Sequence, residues 1–194
     1  MAEFAGDYDL QYVHIHNHRG EGLEAPKGEN ISNMVVELNI YESIYNNAMT
    51  GSLVIADSRN LISNLPIQGT ERLSFRLATK LDTYSTDNSI DFTEKSGNPM
   101  HIYKLTNKEQ LNDNVQTYTL HFCSREFLRN IRTKVSESFS GRMDEAAHAI
   151  FSRPEYLDSK KRLFFQKTRN QDKVVIPNLT PFDAIELLGK RALP

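Results

Sequence analysis

The chain has 194 residues, 39% apolar and 25% charged, with ten Phe, eight Tyr and no Trp, which suits one medium or two small folded domains and excludes a disordered chain. Its net charge of −2 and pI near 6.3 argue against a broadly basic nucleic-acid-binding surface and leave room only for a local patch. The single cysteine, Cys123, has no intrachain disulfide partner, so folding in a reducing, intracellular setting is expected. The acidic N-terminal segment lacks the basic and apolar regions of a signal peptide. No apolar run approaches the ~18–20 residues needed to cross a bilayer.

The first two-thirds read as β-structure. Residues 10–17 alternate, with Val13 and Ile15 opposite Tyr12, His14 and His16. A loop rich in Gly, Pro and charge follows at 20–30. The stretch 34–41 alternates again, placing Met34, Val36, Leu38 and Ile40 on one face. A polar turn through Asn46 and Asn47 leads into 51–57, apolar on both faces as in a strand covered on both sides. Residues 58–65 form a short helical turn, with Ser58 as N-cap and Pro66 ending it. In 72–79, Leu73, Phe75 and Leu77 face inward. The polar stretch 82–98 reads as a hairpin arm or mobile loop. Two more strands, 100–106 and 115–123, flank a turn near 112–114.

At Ser124 the period changes. Phe127, Leu128, Ile131 and Val135 recur at helical spacing, and Gly141 ends that region. A second helix spans 143–151 before Pro154. Residues 163–165 and 174–176 read as short strands or extended links. A third helix begins at Thr180-Pro181, a cap followed by proline at the first helical position. The expected fold class is therefore α+β: an antiparallel β-barrel domain over residues 1–123, then a small helix-rich domain over 124–194.

Catalytic patterns are scarce. His14, His16 and His18 lie two apart and share a strand face, and three histidines can hold zinc. Ligands on one straight strand, however, stand ~6.5–7 Å apart, too far to converge without a bend. Solvated or interface histidines are the better expectation, with a metal-dependent hydrolase as the alternative. Cys123, two residues from His121, reads as a buried structural thiol. No phosphate-binding glycine loop or nucleophile elbow appears. Asp57, Glu71 and Asp91 show no spacing that singles out an acid/base pair. The run Lys160-Lys161-Arg162 before Leu163-Phe164-Phe165 fits a solvated edge beside a buried strand better than a nucleic-acid contact. No catalytic, cofactor-binding or metal-binding residue is assigned, and no enzyme activity is expected.

One segment carries a family pattern. Residues 42–71 run from Glu42 through Asn46-Asn47, Gly51 and Asp57-Ser58 to Pro66-Ile67-Gln68-Gly69-Thr70-Glu71. This strand, tight turn, Gly-led strand, Asp-Ser turn, short helix and Pro-x-x-Gly-x-Glu resembles the N-terminal, tail-tube-like barrel of T-even-type (myovirus) phage baseplate hub proteins. The block from Phe122-Cys123-Ser124-Arg125-Glu126 to Gly141, and the closing helix from Thr180, are similar to that family's helical second domain. The resemblance implies a virion protein assembled in the host cytoplasm, forming a ring-shaped homotrimer. Its implied partners are the tail tube or its initiator, the central spike and other baseplate subunits. DNA would pass through the channel without specific binding, and no membrane or cofactor is involved. The loops 20–30 and 82–98 are the expected intersubunit contacts, and a β-barrel ligand-binding module is a further alternative. Family members carry a second, similar barrel after the helical part. The resemblance thus implies either that a barrel follows Pro194 or that another chain completes the ring.

Overall fold

The computed structural model describes residues 8–19, 29–64, 67, 69–79 and 89–193. Two compact units divide at Ser124/Arg125. In the first, strands β1 (Tyr8–His16), β2 (Glu29–Asn30), β3 (Val35–Tyr41), β4 (Thr50–Asp57), β5 (Arg72–Thr79), β6 (Ser89–Asp91), β7 (Met100–Asn112) and β8 (Val115–Cys123) form one antiparallel sheet. Their order is β2-β1-β5-β7-β8-β4-β3, with β6 also paired to β5. A 3-10 turn at Ser32–Met34 joins β2 to β3, and helix α1 (Leu61–Asn64) follows β4.

Period-two patterning places the core. Val13, Ile15, Leu53, Ile55, Leu73, Phe75, Met100, Ile102, Tyr118, Leu120 and Phe122 are all buried. Each large apolar side chain buried this way contributes about 1.5–3 kcal/mol relative to exposure. Phe75 anchors the centre, its ring 5.0 Å from Phe92 and 5.5 Å edge-on from Phe122.

Several expectations change. Gly51 lies inside β4. A Cβ there would stand 2.3 Å from the Phe122 ring and 2.4 Å from the Asn39 carbonyl, so the missing side chain makes room for Phe122 and for β3. Met34 belongs to the 3-10 turn, and the β3–β4 register shifts between Val35 and Glu37. The bulge turns Val36 out to 64% exposure, while Val35, Leu38 and Ile40 pack against the core. The carboxylate of Asp57, not Ser58, caps the start of α1: Oδ2 accepts from the Leu61 N–H at 2.6 Å and Oδ1 from the Arg59 N–H at 2.9 Å. Strand β7 runs to Asn112, six residues past the expected end at 106. Its register on β8 shifts between Thr106 and Glu109, where Asn107 takes a left-handed φ of 52°, and residues 107–114 project as an exposed hairpin. The terminator Pro66 and most of the loop 20–30 lie outside the described residues, as do 82–88 of the stretch 82–98.

The second unit contains α2 (Arg125–Arg132), β9 (Ser138–Arg142), α3 (Met143–Ser152), β10 (Gln171–Val175) and α4 (Pro181–Arg191). Strands β9 and β10 pair antiparallel. Val135, Phe139, Met143, Ala146, Ile150, Val174, Ile176, Ala184 and Leu188 make its core. Val135 is not on α2, as its spacing from Ile131 implied. The helix stops at Arg132, and Val135 bridges Leu179 through reciprocal backbone bonds of 2.8 and 3.1 Å. Gly141 does not end a helix either; it sits within β9 with φ 124°. Helix α4 begins as its sequence indicates, with Thr180 Oγ1 accepting from the Asp183 N–H and Pro181 in the first turn.

Candidate functional site

The histidines of the first strand do not converge on a point. Tyr12, His14 and His16 do share a face of β1. Tyr12 and His14 stack with centroids 3.9 Å apart and planes 5° apart, and His16 follows at 6.2 Å, itself only 3% exposed. His18 falls beyond the end of β1 and is exposed. The strand rise keeps these rings in a stack rather than around a point. Among the described residues, no group of three or more His, Cys, Asp or Glu side chains is placed to hold a metal ion.

Cys123 is fully buried, and burial pushes its thiol up to about 12, so it is a neutral thiol at physiological pH. Its Sγ lies 3.8 Å from the His101 carbonyl as a weak donor. The neighbouring His121 ring instead meets Thr106 Oγ1 at 2.8 Å.

The buried carboxylates organise backbone. Besides the two amides of the α1 turn, Asp57 accepts from the Tyr118 hydroxyl at 3.2 Å and Gln116 Nε2 at 3.3 Å. Burial, reinforced by Asp57, raises the Tyr118 hydroxyl well above its usual range. Glu71, 3% exposed, turns Oε2 back onto the N–H groups of Gly69 (2.7 Å) and Thr70 (3.1 Å). Gly69 takes φ 84°, which glycine adopts without the cost a Cβ would bring. The Gly-x-Glu signature is thus a carboxylate-closed turn. The exposed Asp91 also accepts a backbone bond, from the Thr93 N–H at 2.9 Å. A polar cleft of about 570 Å³ lies between the α1 turn and the β7–β8 hairpin, lined among others by Arg59, Asn60, Lys108 and Gln116. The Asp57 carboxylate on its wall is already committed to four donors.

In the second unit, α2 grips the segment that follows α3. Arg125 pairs with Asp158 at 2.7 Å, and Arg129 Nε donates to the Tyr156 carbonyl at 2.7 Å. The buried Glu126 accepts from Ser159 Oγ at 2.7 Å and Lys161 Nζ at 2.8 Å. Burial alone would raise Glu126, but the bonds from Lys161 and Ser159 outweigh it and leave its carboxyl below the ordinary range. Beyond this clamp, residues 160–167 are exposed and have no regular structure. Leu163–Phe165 is therefore neither a strand nor buried: Phe164 is 77% exposed and Phe165 48%.

No protein-family model and no curated protein matches the chain. What the geometry offers is edges and projections. Strand β3 ends the sheet order, and Val36, Tyr41, Ile44 and Tyr45 stand exposed along it and the loop after it, Ile44 at 93% and Tyr45 at 88%. Sequence reasoning missed this surface. Ile44 and Tyr45 sit in a turn whose asparagines signalled a loop, and Val36 sits in an alternation that pointed it inward. No helix among the described residues is long and apolar enough to cross a membrane.

Proposed function

We propose that this chain is a structural subunit of a contractile phage tail baseplate, one that assembles into a ring-shaped hub joining the tail tube to the central spike. The observation that carries this is the 42–71 pattern. Three of its signature residues have structural roles among the described residues. Gly51 admits Phe122, Asp57 closes the α1 turn, and Glu71 closes the turn at Gly69. The sheet supports the tail-tube-like barrel of the same proposal. Strands β2 and β3, at opposite ends of the strand order, are consecutive in the chain and separated by one 3-10 turn. Across that turn the Ile31 N–H still bonds the Val13 carbonyl at 3.0 Å, and Ser32 Oγ accepts from the Val13 N–H at 3.0 Å. A chain that passes directly from one end of a sheet to the other brings those two ends near each other, which supports a barrel-like curvature.

In this role the chain performs no bond chemistry. Exposed edges and projecting hairpins supply association, because unpaired strand edges recruit further backbone. Mixing the purified chain with tail-tube and central-spike proteins should give complexes that sediment together. Association with neither would overturn the hub assignment. The metal-hydrolase alternative is tested by zinc content: stoichiometric zinc, lost on replacing His14, His16 and His18 by Ala, would favour it over the hub.

A further inference from the structure

The two units carry opposite charge. Residues 1–124 hold 9 Lys and Arg against 16 Asp and Glu, a net of −7, and residues 125–194 hold 14 against 9, a net of +5. Each unit has an exposed stretch that carries charge of that unit's sign. From Ile31 to Ser58 there is no Lys or Arg, and Glu37 and Glu42 are exposed among Val36, Tyr41, Ile44 and Tyr45. Strand β3 pairs only with β4 among the described residues, so no described strand covers its other edge.

The segment 160–169 is its chemical complement. It carries Lys160, Lys161, Arg162, Lys167 and Arg169, with no acidic residue between Asp158 and Asp172. Its ends are tied down: Lys161 to Glu126, and Thr168 to Asp144 through an N–H bond of 3.2 Å and a hydroxyl bond of 2.8 Å. Between them, the peptide groups of residues 162–167 make no hydrogen bond within the described residues. Arg162 lies 4.6 Å over the Phe164 ring, and no described carboxylate pairs with Arg162, Lys167 or Arg169. An anchored, exposed strap with basic and aromatic side chains is complementary in charge to an edge that carries Glu37 and Glu42.

We propose that the 160–169 strap of one copy docks along the β3 edge of a second copy, adding backbone pairing to charge and ring contacts. This rests on the ring-forming reading above and names its contact. Because strap and edge are different surfaces, the contact is head-to-tail, the kind that closes rings when its rotation allows.

Reversing charge on each surface separately provides the test. The edge variant is Glu37→Lys with Glu42→Lys, and the strap variant is Arg162→Glu with Lys167→Glu; circular dichroism checks that both fold. Sedimentation velocity of the full chain at low salt should show wild type associating and each variant alone associating roughly tenfold more weakly or worse. A 1:1 mixture of the two should associate again, since each reversed surface then meets a complementary one. Wild type that associates while both variants associate equally well would overturn this contact and leave the ring reading standing. Variants that weaken but fail to rescue each other would also overturn it, and a wild type that never associates would remove both.

Discussion

Asp57 is the residue on which most of the first unit's local order converges. Its side chain is buried and serves two backbone amides, a tyrosine hydroxyl and an amide side chain. Asp57→Ala leaves those donors without an acceptor and should cost about 2–4 kcal/mol, read as a lower urea midpoint at unchanged slope. Gly51→Ala places a methyl group against the Phe122 ring and the Asn39 carbonyl, one of which must move. About 1–3 kcal/mol of destabilisation is expected in the same assay. Cys123, buried and protonated, should react with a thiol reagent only at the rate of opening of the first unit, so reactivity in the folded state matching a free thiol would contradict its placement. The sequence marked Asp57-Ser58 as a turn before the short helix and left Glu71 without a role. It did not disclose that Gly51 answers Phe122, because 71 residues separate them and only the β4–β8 register brings them opposite.

At the scale of elements, alternation located the core strands and failed where both faces meet water. The outer part of β7, Asn107 to Asn112, has no buried face and so no period-two signal; pairing to β8 alone holds it. Its amides should exchange with solvent faster than those of residues 100–105, which hydrogen exchange measures directly. The opposite error occurred at Val135. Its spacing from Ile131 imitates a helix, but its partner Leu179 is distant in sequence and the segment between α2 and α3 contains a strand. The clamp of α2 on 153–161 has a pH signature. Lys160 and Arg125 hold the Asp158 carboxyl at about 2, below its ordinary 3.8. The folded state therefore binds that proton less readily than the unfolded chain. The stabilisation is complete above 3.8 and is lost as pH falls toward 2. Asp158→Asn should lower stability at neutral pH and flatten the acid limb of a stability-versus-pH curve between those values.

At the scale of the whole molecule, the change near residue 124 was visible because hydrophobic period switches there from two toward 3.6. The surfaces through which copies would meet were not visible. An exposed apolar residue in a turn and a buried one in a strand look alike until the register is known, as Val36 and Ile44 illustrate. Opposite charge on the two units, the β3 edge and the exposed basic strap are the features on which the proposed association of copies rests. Electron microscopy of the purified chain at assembly concentration tests that most directly. Closed rings around a central channel are the predicted result, and a field of single, unassociated particles at every concentration would contradict it.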